Sequence, residues 1–232
     1  MGPTDRLLAA LFWSALTIGL YFLGKALYRR RPCWWLSPLM ISPVLLIAVA
    51  LVLHESYAEY IRGTHWLLAL LAPATVSFAI PIYEERQLIR RTWPLLLLGV
   101  LAGSITSFLS SWWLASMLGL DRLLCLSLLP RSLSTPFAMT VSGDIGGVPA
   151  LTAVFVVLTG VLGAALGEGL LACLPLRSAV ARGALFGMGA HGAGTAKAHQ
   201  IDGEIGAIAG LVMVLVGLLN VLTAPLLAAV VR

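Results

Sequence analysis

Apolar residues run in blocks too long for the face of a soluble helix: Leu7 to Leu27, Leu36 to Leu53, Trp66 to Ile82, Trp93 to Leu118, Val148 to Leu174 and Ile205 to Val231. Each is close to or above the roughly 20 residues with which a helix rising about 1.5 Å per residue crosses about 30 Å of hydrocarbon. Six ordinary spans are therefore predicted. Two further blocks, Leu123 to Val141 and Ala179 to Ala198, are long enough but broken by proline, glycine and polar residues. They predict two irregular segments, either full spans or re-entrant. The connections are short and carry no soluble pattern, so residues 1–232 read as a single integral membrane domain, an all-α polytopic protein with about seven or eight transmembrane or re-entrant segments. The first block is too long for the apolar core of a signal peptide and has no small-residue cleavage site before Arg29, so it is expected to remain as a helix.

Composition agrees: 59% of residues are hydrophobic, 11% are charged and mean hydropathy is +0.97, which excludes a soluble domain. The net charge of +5 belongs to the loops and gives no reason to expect nucleic acid. Lys25 and Arg29, Arg30, Arg31 flank the first connection and Arg86, Arg90, Arg91 the third, which places those loops in the cytoplasm and the N-terminus outside. Simple crossing thereafter would put Arg177 and Arg182 outside. A re-entrant segment between Leu123 and Val141 restores them to the inside. Cys33, Cys125 and Cys173 are odd in number and widely spaced, so neither a disulfide framework nor a metal site is expected.

Polar chemistry concentrates in three broken segments. In RSLSTPFAMTVSGDIGG, from residue 131, a proline inside a membrane helix frees a carbonyl that Ser132, Ser134 and Thr135 are placed to satisfy, while SGDIGG ends the helix near Ser142. Helix repair leaves Arg131 unexplained, because an arginine at membrane depth costs at least about 2.5 kcal/mol unless it is paired or hydrated. In LLAPATVSFAIPIYEE, from residue 70, Pro73 and Pro81 bracket Thr75 and Ser77 with a similar local grammar, consistent with an inverted repeat whose half-helix ends meet near the midplane. In GMGAHGAGTAKAHQIDGE, from residue 187, glycines beside His191 and Thr195 predict a helix break that exposes amides toward an anion. Lys197 and His199 are weaker candidates. Elsewhere Gly160, Gly163 and Gly167 share a face, as do Gly183 with Gly187 and Gly206 with Gly210. That spacing predicts close helix packing, or smooth faces along which one bundle slides.

The segments RSLSTPFAMTVSGDIGGVPALTAVFVVLTGVLGAALG, ARGALFGMGAHGAGTAKAHQIDGEIGA and APATVSFAIPIY together resemble the LrgB/CidB membrane family, whose plant relatives include the plastidial glycolate/glycerate translocator. The likeness runs collinearly from about Leu70 to the C-terminus. The chain departs from the family pattern at Ala72, where glycine is usual, at Ala190, where serine is usual, and at Glu168, where proline commonly follows the glycine. The resemblance implies a carrier of small monocarboxylates such as glycolate, glycerate or pyruvate in a bacterial inner membrane, often working with a holin-like partner of the LrgA/CidA type, which for this chain is either separate or dispensable. It equally implies the other description given to bacterial members, an antiholin-like regulator of murein hydrolase activity and lysis.

A buried carboxylate needs compensating charge and aimed donors. Arg131 is expected to supply the charge, with Ser134, Thr135, Pro136, Thr75, Ser77, His191, Gly192, Gly194 and Thr195 lining the binding site. Asp144, His191 and Glu204 are candidates for proton coupling or gating. Alternating access by a homodimer is expected, with no cofactor. No HExxH, GxSxG or paired nucleophile and base is present, so no enzyme is expected. Polarity gathered at helix breaks, rather than along a continuous stripe, favours a carrier over a pore.

Overall fold

The computed structural model describes residues 3–31, 33–77 and 79–231, without the side chains of residues 3–6, 34, 74, 230 and 231. The described chain is helical, and five segments are long and apolar enough to cross a membrane: Leu7–Arg30, Tyr57–Glu84, Arg86–Met117, Pro149–Cys173 and Gly203–Ala229. Two compact units divide it, Met1–Ala74 and Thr75–Arg232.

In the first unit, α1 (Pro3–Arg30) packs against α2 (Pro38–Val52) and α3 (Tyr57–Ala69). Glycines set the approach, since a Cβ on Gly24 would strike Ile41 and one on Gly63 would crowd Ala10 and Trp13. Hydroxyls then fix the register: Ser42 Oγ donates to the Leu20 carbonyl at 3.2 Å, and Trp66 Nε1 donates to Ser14 Oγ at 2.8 Å. α2 begins at Pro38, where the missing N–H costs no bond, and stops before His54, which turns back at φ 56°. At 15 residues it rises only about 22 Å, shorter than the expected span. Ser56 and Glu59 cap α3 reciprocally.

The second unit holds the two irregular segments. After α4 (Leu71–Ser77), within which the division falls, come α5 (Ala79–Glu84) and α6 (Arg86–Met117). α6 bends at Thr92, two residues before Pro94, where Thr92 Oγ1 bonds the Leu88 carbonyl at 2.7 Å. Asp121 caps the short α7 (Arg122–Leu128) through a 2.7 Å bond from Leu124 N, and α8 (Thr135–Ile145) follows. Neither helix is long enough to cross. α8 ends at Gly146, whose φ of 90° suits glycine, and the chain turns at once into α9 (Pro149–Cys173). This turn is stitched to α7: Val148 N donates to Ser127 Oγ at 2.9 Å and Thr152 Oγ1 donates to the Ser127 carbonyl at 2.9 Å. α7 and α8 thus form a re-entrant hairpin, and α9 starts at the end of the bundle where α6 finished.

The second irregular segment, α10 (Ala179–Ile201), reverses at His191, whose φ of 38° and ψ of −122° break the helix. Its two halves lie side by side. Gly194 faces the Phe186 backbone eight residues back, a separation that a straight helix would stretch to about 12 Å. Lys197 Nζ reaches Glu168 Oε1 at 2.9 Å, beside Gly167, which faces the Phe186 ring. Residues 179–190 therefore dive alongside α9 and residues 192–201 return to the starting end. α11 (Gly203–Val231) crosses from that end, with Gly183 against Ile205 and Ile208 and Gly187 against Ala209. α11 is the buried centre of the unit, 67% of its apolar window lying inside.

Two hairpins entering from opposite ends place Arg86, Arg90, Arg91, Arg177 and Arg182 at one end, the grouping that a re-entrant segment was expected to produce. The glycine faces of α9 and α10 are filled rather than smooth. Gly160 meets the His191 ring, Gly163 meets the Gly189 carbonyl and Ala190, and Gly167 meets Phe186, so they dock the second hairpin onto α9.

Candidate functional site

The tip of the first hairpin spans Leu129 to Ser134. Pro136 lies in the first turn of α8, where its ring fixes φ and its missing N–H breaks no helical bond, so no carbonyl is freed for the nearby hydroxyls to repair. α8 also runs three residues past the expected end at Ser142, because Ser142 is turned inward: it has no exposed surface, and its Oγ lies 2.7 Å from Thr152 Oγ1. The tip is thereby held against α9. Ser134, at the N-cap position, is only 5% exposed, yet its hydroxyl makes no cap bond and has no hydrogen-bond partner.

Arg131 is half-buried at this tip. Its Nε donates to Ser111 Oγ on α6 at 2.9 Å, and Ser111 has no exposed surface. Among the described residues it forms no ion pair. One hydrogen bond occupies one of five donors, so the guanidinium retains a fork of N–H groups and an unneutralised charge. One turn back along α6, Ser107 Oγ is buried without a partner, and Ser104 Oγ accepts from Asn220 Nδ2 at 2.9 Å.

At the second tip, the His191 side chain is 4% exposed and wedged against α9. One ring nitrogen lies toward the Val156 carbonyl, Nε2 has no partner, and the ring faces Gly160. Thr195 Oγ1 donates to the His191 carbonyl at 2.9 Å, tying the first turn after the break to the residue that makes it. Gly194 allows the close return of the second half, whereas a Cβ on Gly192 would meet open space. The half-helix that starts here presents its N-terminal, positive end at the tip, as α8 does at Ser134.

α11 measures how near the tips lie. Met213 Sδ is 4.0 Å from Thr195 Oγ1, and Gly217 meets the Phe137 ring. Those two α11 positions are four residues apart, on one face and about 6 Å along the axis. Thr195 and Phe137 each stand in the first turn after their break. Two positive helix ends and an unpaired guanidinium therefore converge on one level of the bundle. Such an arrangement can hold a small anion.

Of the sequence-predicted residues, the structure gathers Arg131, Ser134, Thr135 and Pro136 at one tip and His191, Gly192, Gly194 and Thr195 at the other. Thr75 and Ser77 lie on α4, half-buried and exposed respectively. Asp144 is exposed on the last turn of α8, ten residues or about 15 Å of helix from Ser134. Glu204 is exposed in the first turn of α11, where Asp202 Oδ1 caps its N–H at 2.8 Å, about 13 Å of helix from Met213. Neither acid is brought to the tips. Sequence reasoning missed Ser111, Ser107, Ser104 and the Ser127–Ser142–Thr152 network. It also missed Asn220, although the chain's sole asparagine, in the most apolar of its five long helices, was a signal available to be read.

Comparison with known proteins gives a family match over residues 17–230, to the LrgB-like family. The Bacillus subtilis protein YwbG is 39% identical over 91% of this chain and 94% of its own length. YxaC of the same organism is 36% identical over 80% of each chain. The holin-like protein CidB of Staphylococcus aureus is 31% identical over 94% of this chain and 95% of its own. No solved structure matches significantly.

Proposed function

Since the chain belongs to the LrgB-like family of multi-pass membrane proteins, we propose that it is a carrier of small organic monocarboxylates such as glycolate, glycerate or pyruvate in a bacterial inner membrane. The observation that carries this reading is Arg131: a guanidinium at membrane depth, held by one serine and facing no carboxylate, beside the orphaned hydroxyl of Ser134 at a helix start. An unpaired, half-buried cation at membrane depth is unfavourable, and a bound carboxylate relieves it by supplying the missing charge and acceptors. In this account the carboxylate takes the free N–H fork of Arg131 and the Ser134 hydroxyl, with the positive end of α8 adding to the field. The hairpins, entering from opposite ends, separate the site from the two aqueous sides and open it to each in turn. No catalytic step is part of the proposal.

A second reading is favoured by the 31% identity to CidB, a protein named holin-like: a membrane component that regulates lysis together with an LrgA/CidA-type partner. The two readings differ in what crosses. Purified protein in proteoliposomes is loaded with trapped sucrose and given labelled glycolate outside. A carrier takes up glycolate saturably, is inhibited by competing monocarboxylates and retains the sucrose. Release of sucrose, or silence until a partner is added, supports the second reading instead.

A further inference from the structure

The second tip carries a buried polar atom that the carboxylate site does not use. His191 occupies a backbone region that side-chain-bearing residues rarely enter, a strain that persists only where the surroundings enforce it. What the strain secures is the placement of an imidazole: its ring is seated on Gly160, one nitrogen on the Val156 carbonyl, the other buried without a partner. A carbonyl accepts only from N–H, so the nitrogen facing Val156 carries the proton of the neutral ring. Nε2 is then a lone-pair acceptor. An acceptor buried at 4% exposure, at the level of the tip that holds Arg131, calls for a donor on the ligand.

Resting on the carrier reading, we propose that His191 Nε2 accepts a hydrogen bond from a hydroxyl group of the transported acid, so that the site selects hydroxy acids over oxo acids and unsubstituted alkyl acids. The two ends of the ligand are read by different hairpins, the carboxylate by Arg131 and Ser134 on the first and the hydroxyl by His191 on the second. A bound ligand ties the hairpins together. An oxo acid offers only acceptors to Nε2 and an alkyl acid offers nothing, so both leave the nitrogen unsatisfied. A site built to bond a hydroxyl rejects analogues lacking it more strongly than a pocket rejects a change in size.

Lactate, pyruvate and propionate share a three-carbon acid skeleton and differ at one position. Each is measured as a competitor of labelled glycolate uptake in proteoliposomes of the wild-type protein and of His191→Gly, a residue suited to the φ of this position. In the wild type lactate is expected to inhibit at about ten-fold lower concentration than pyruvate or propionate, the worth of one buried hydrogen bond. In His191→Gly the three are expected to converge to within about two-fold while uptake remains saturable. Pyruvate or propionate matching lactate in the wild type overturns the proposal without any variant, as does discrimination that survives in His191→Gly. Absence of uptake of every acid by well-folded wild-type protein overturns the carrier reading together with it.

Discussion

Replacing Ser111 by alanine removes the side-chain acceptor of Arg131 Nε without touching the guanidinium itself. Ser111 has no exposed surface and lies on α6, away from the tip backbone, so the change deletes one oxygen and leaves the hairpin intact. A hydrogen bond to a charged group is worth about 1.5–3 kcal/mol. Arg131 is half-buried and water can replace part of that bond, which puts the expectation at the lower end. At about 1.4 kcal/mol per decade, glycolate KM should rise roughly ten-fold. If the bond serves to aim the cation at the carboxylate in the resting site, the saturating rate should change by less than about two-fold. The assay is the concentration dependence of uptake, with melting temperature in detergent as a check on folding. Ser110→Ala, on the exposed side of the same helix, serves as control. A Ser111→Ala protein with wild-type KM would refute the assignment of Arg131 as the carboxylate anchor positioned through α6.

Thr152→Val keeps shape and removes the hydroxyl that joins Ser127 and Ser142, so stability should fall by about 1–3 kcal/mol, read as a lower melting temperature, whereas Thr140→Val on the exposed side of α8 should leave it unchanged. Gly160→Ala places a Cβ 2.6 Å from His191 Cε1 and should displace the ring, weakening glycolate uptake, while Gly192→Ala meets open space and should be silent; equal behaviour of the two would sink the placement of the ring. The reversal of α10 predicts that Ser178→Cys and Gly203→Cys, in a background freed of Cys33, Cys125 and Cys173, are labelled by an impermeant thiol reagent from the same side of the membrane. Labelling from opposite sides would mean that α10 crosses.

Much of this fold could be read along the chain, because hydrocarbon imposes a length on every crossing helix and the apolar blocks report it directly. The blocks from Trp93, Val148 and Ile205 became α6, α9 and α11 with ends shifted by a few residues at most, apart from the extension of α6 back to Arg86. The polar interruptions around Arg131 and His191 marked the two breaks, since glycine, proline and charge are tolerated at membrane depth only where backbone lines protein or a cavity. Whether a break bends a helix or reverses it was not legible. That depends on a single residue, His191, and on three α9 glycines that seat the entering half and the break itself. The partners of the site were equally hidden. Ser104, Ser107 and Ser111 resemble any serine that bonds its own helix, and only the fold shows that one meets Arg131, another Asn220, and the third nothing. Asp144 and Glu204 attracted notice for their charge, but both belong to exposed helix ends.

The most direct test of the central claim is glycolate uptake by proteoliposomes of Arg131→Gln beside wild type, at matched insertion and with melting temperatures recorded. Glutamine keeps a hydrogen-bonding side chain but withdraws the charge. The account predicts saturable uptake by the wild type and loss of glycolate affinity by at least about ten-fold in Arg131→Gln, the lower end of what a hydrogen bond to a charged group is worth. A folded Arg131→Gln protein that transports glycolate with wild-type KM would contradict it.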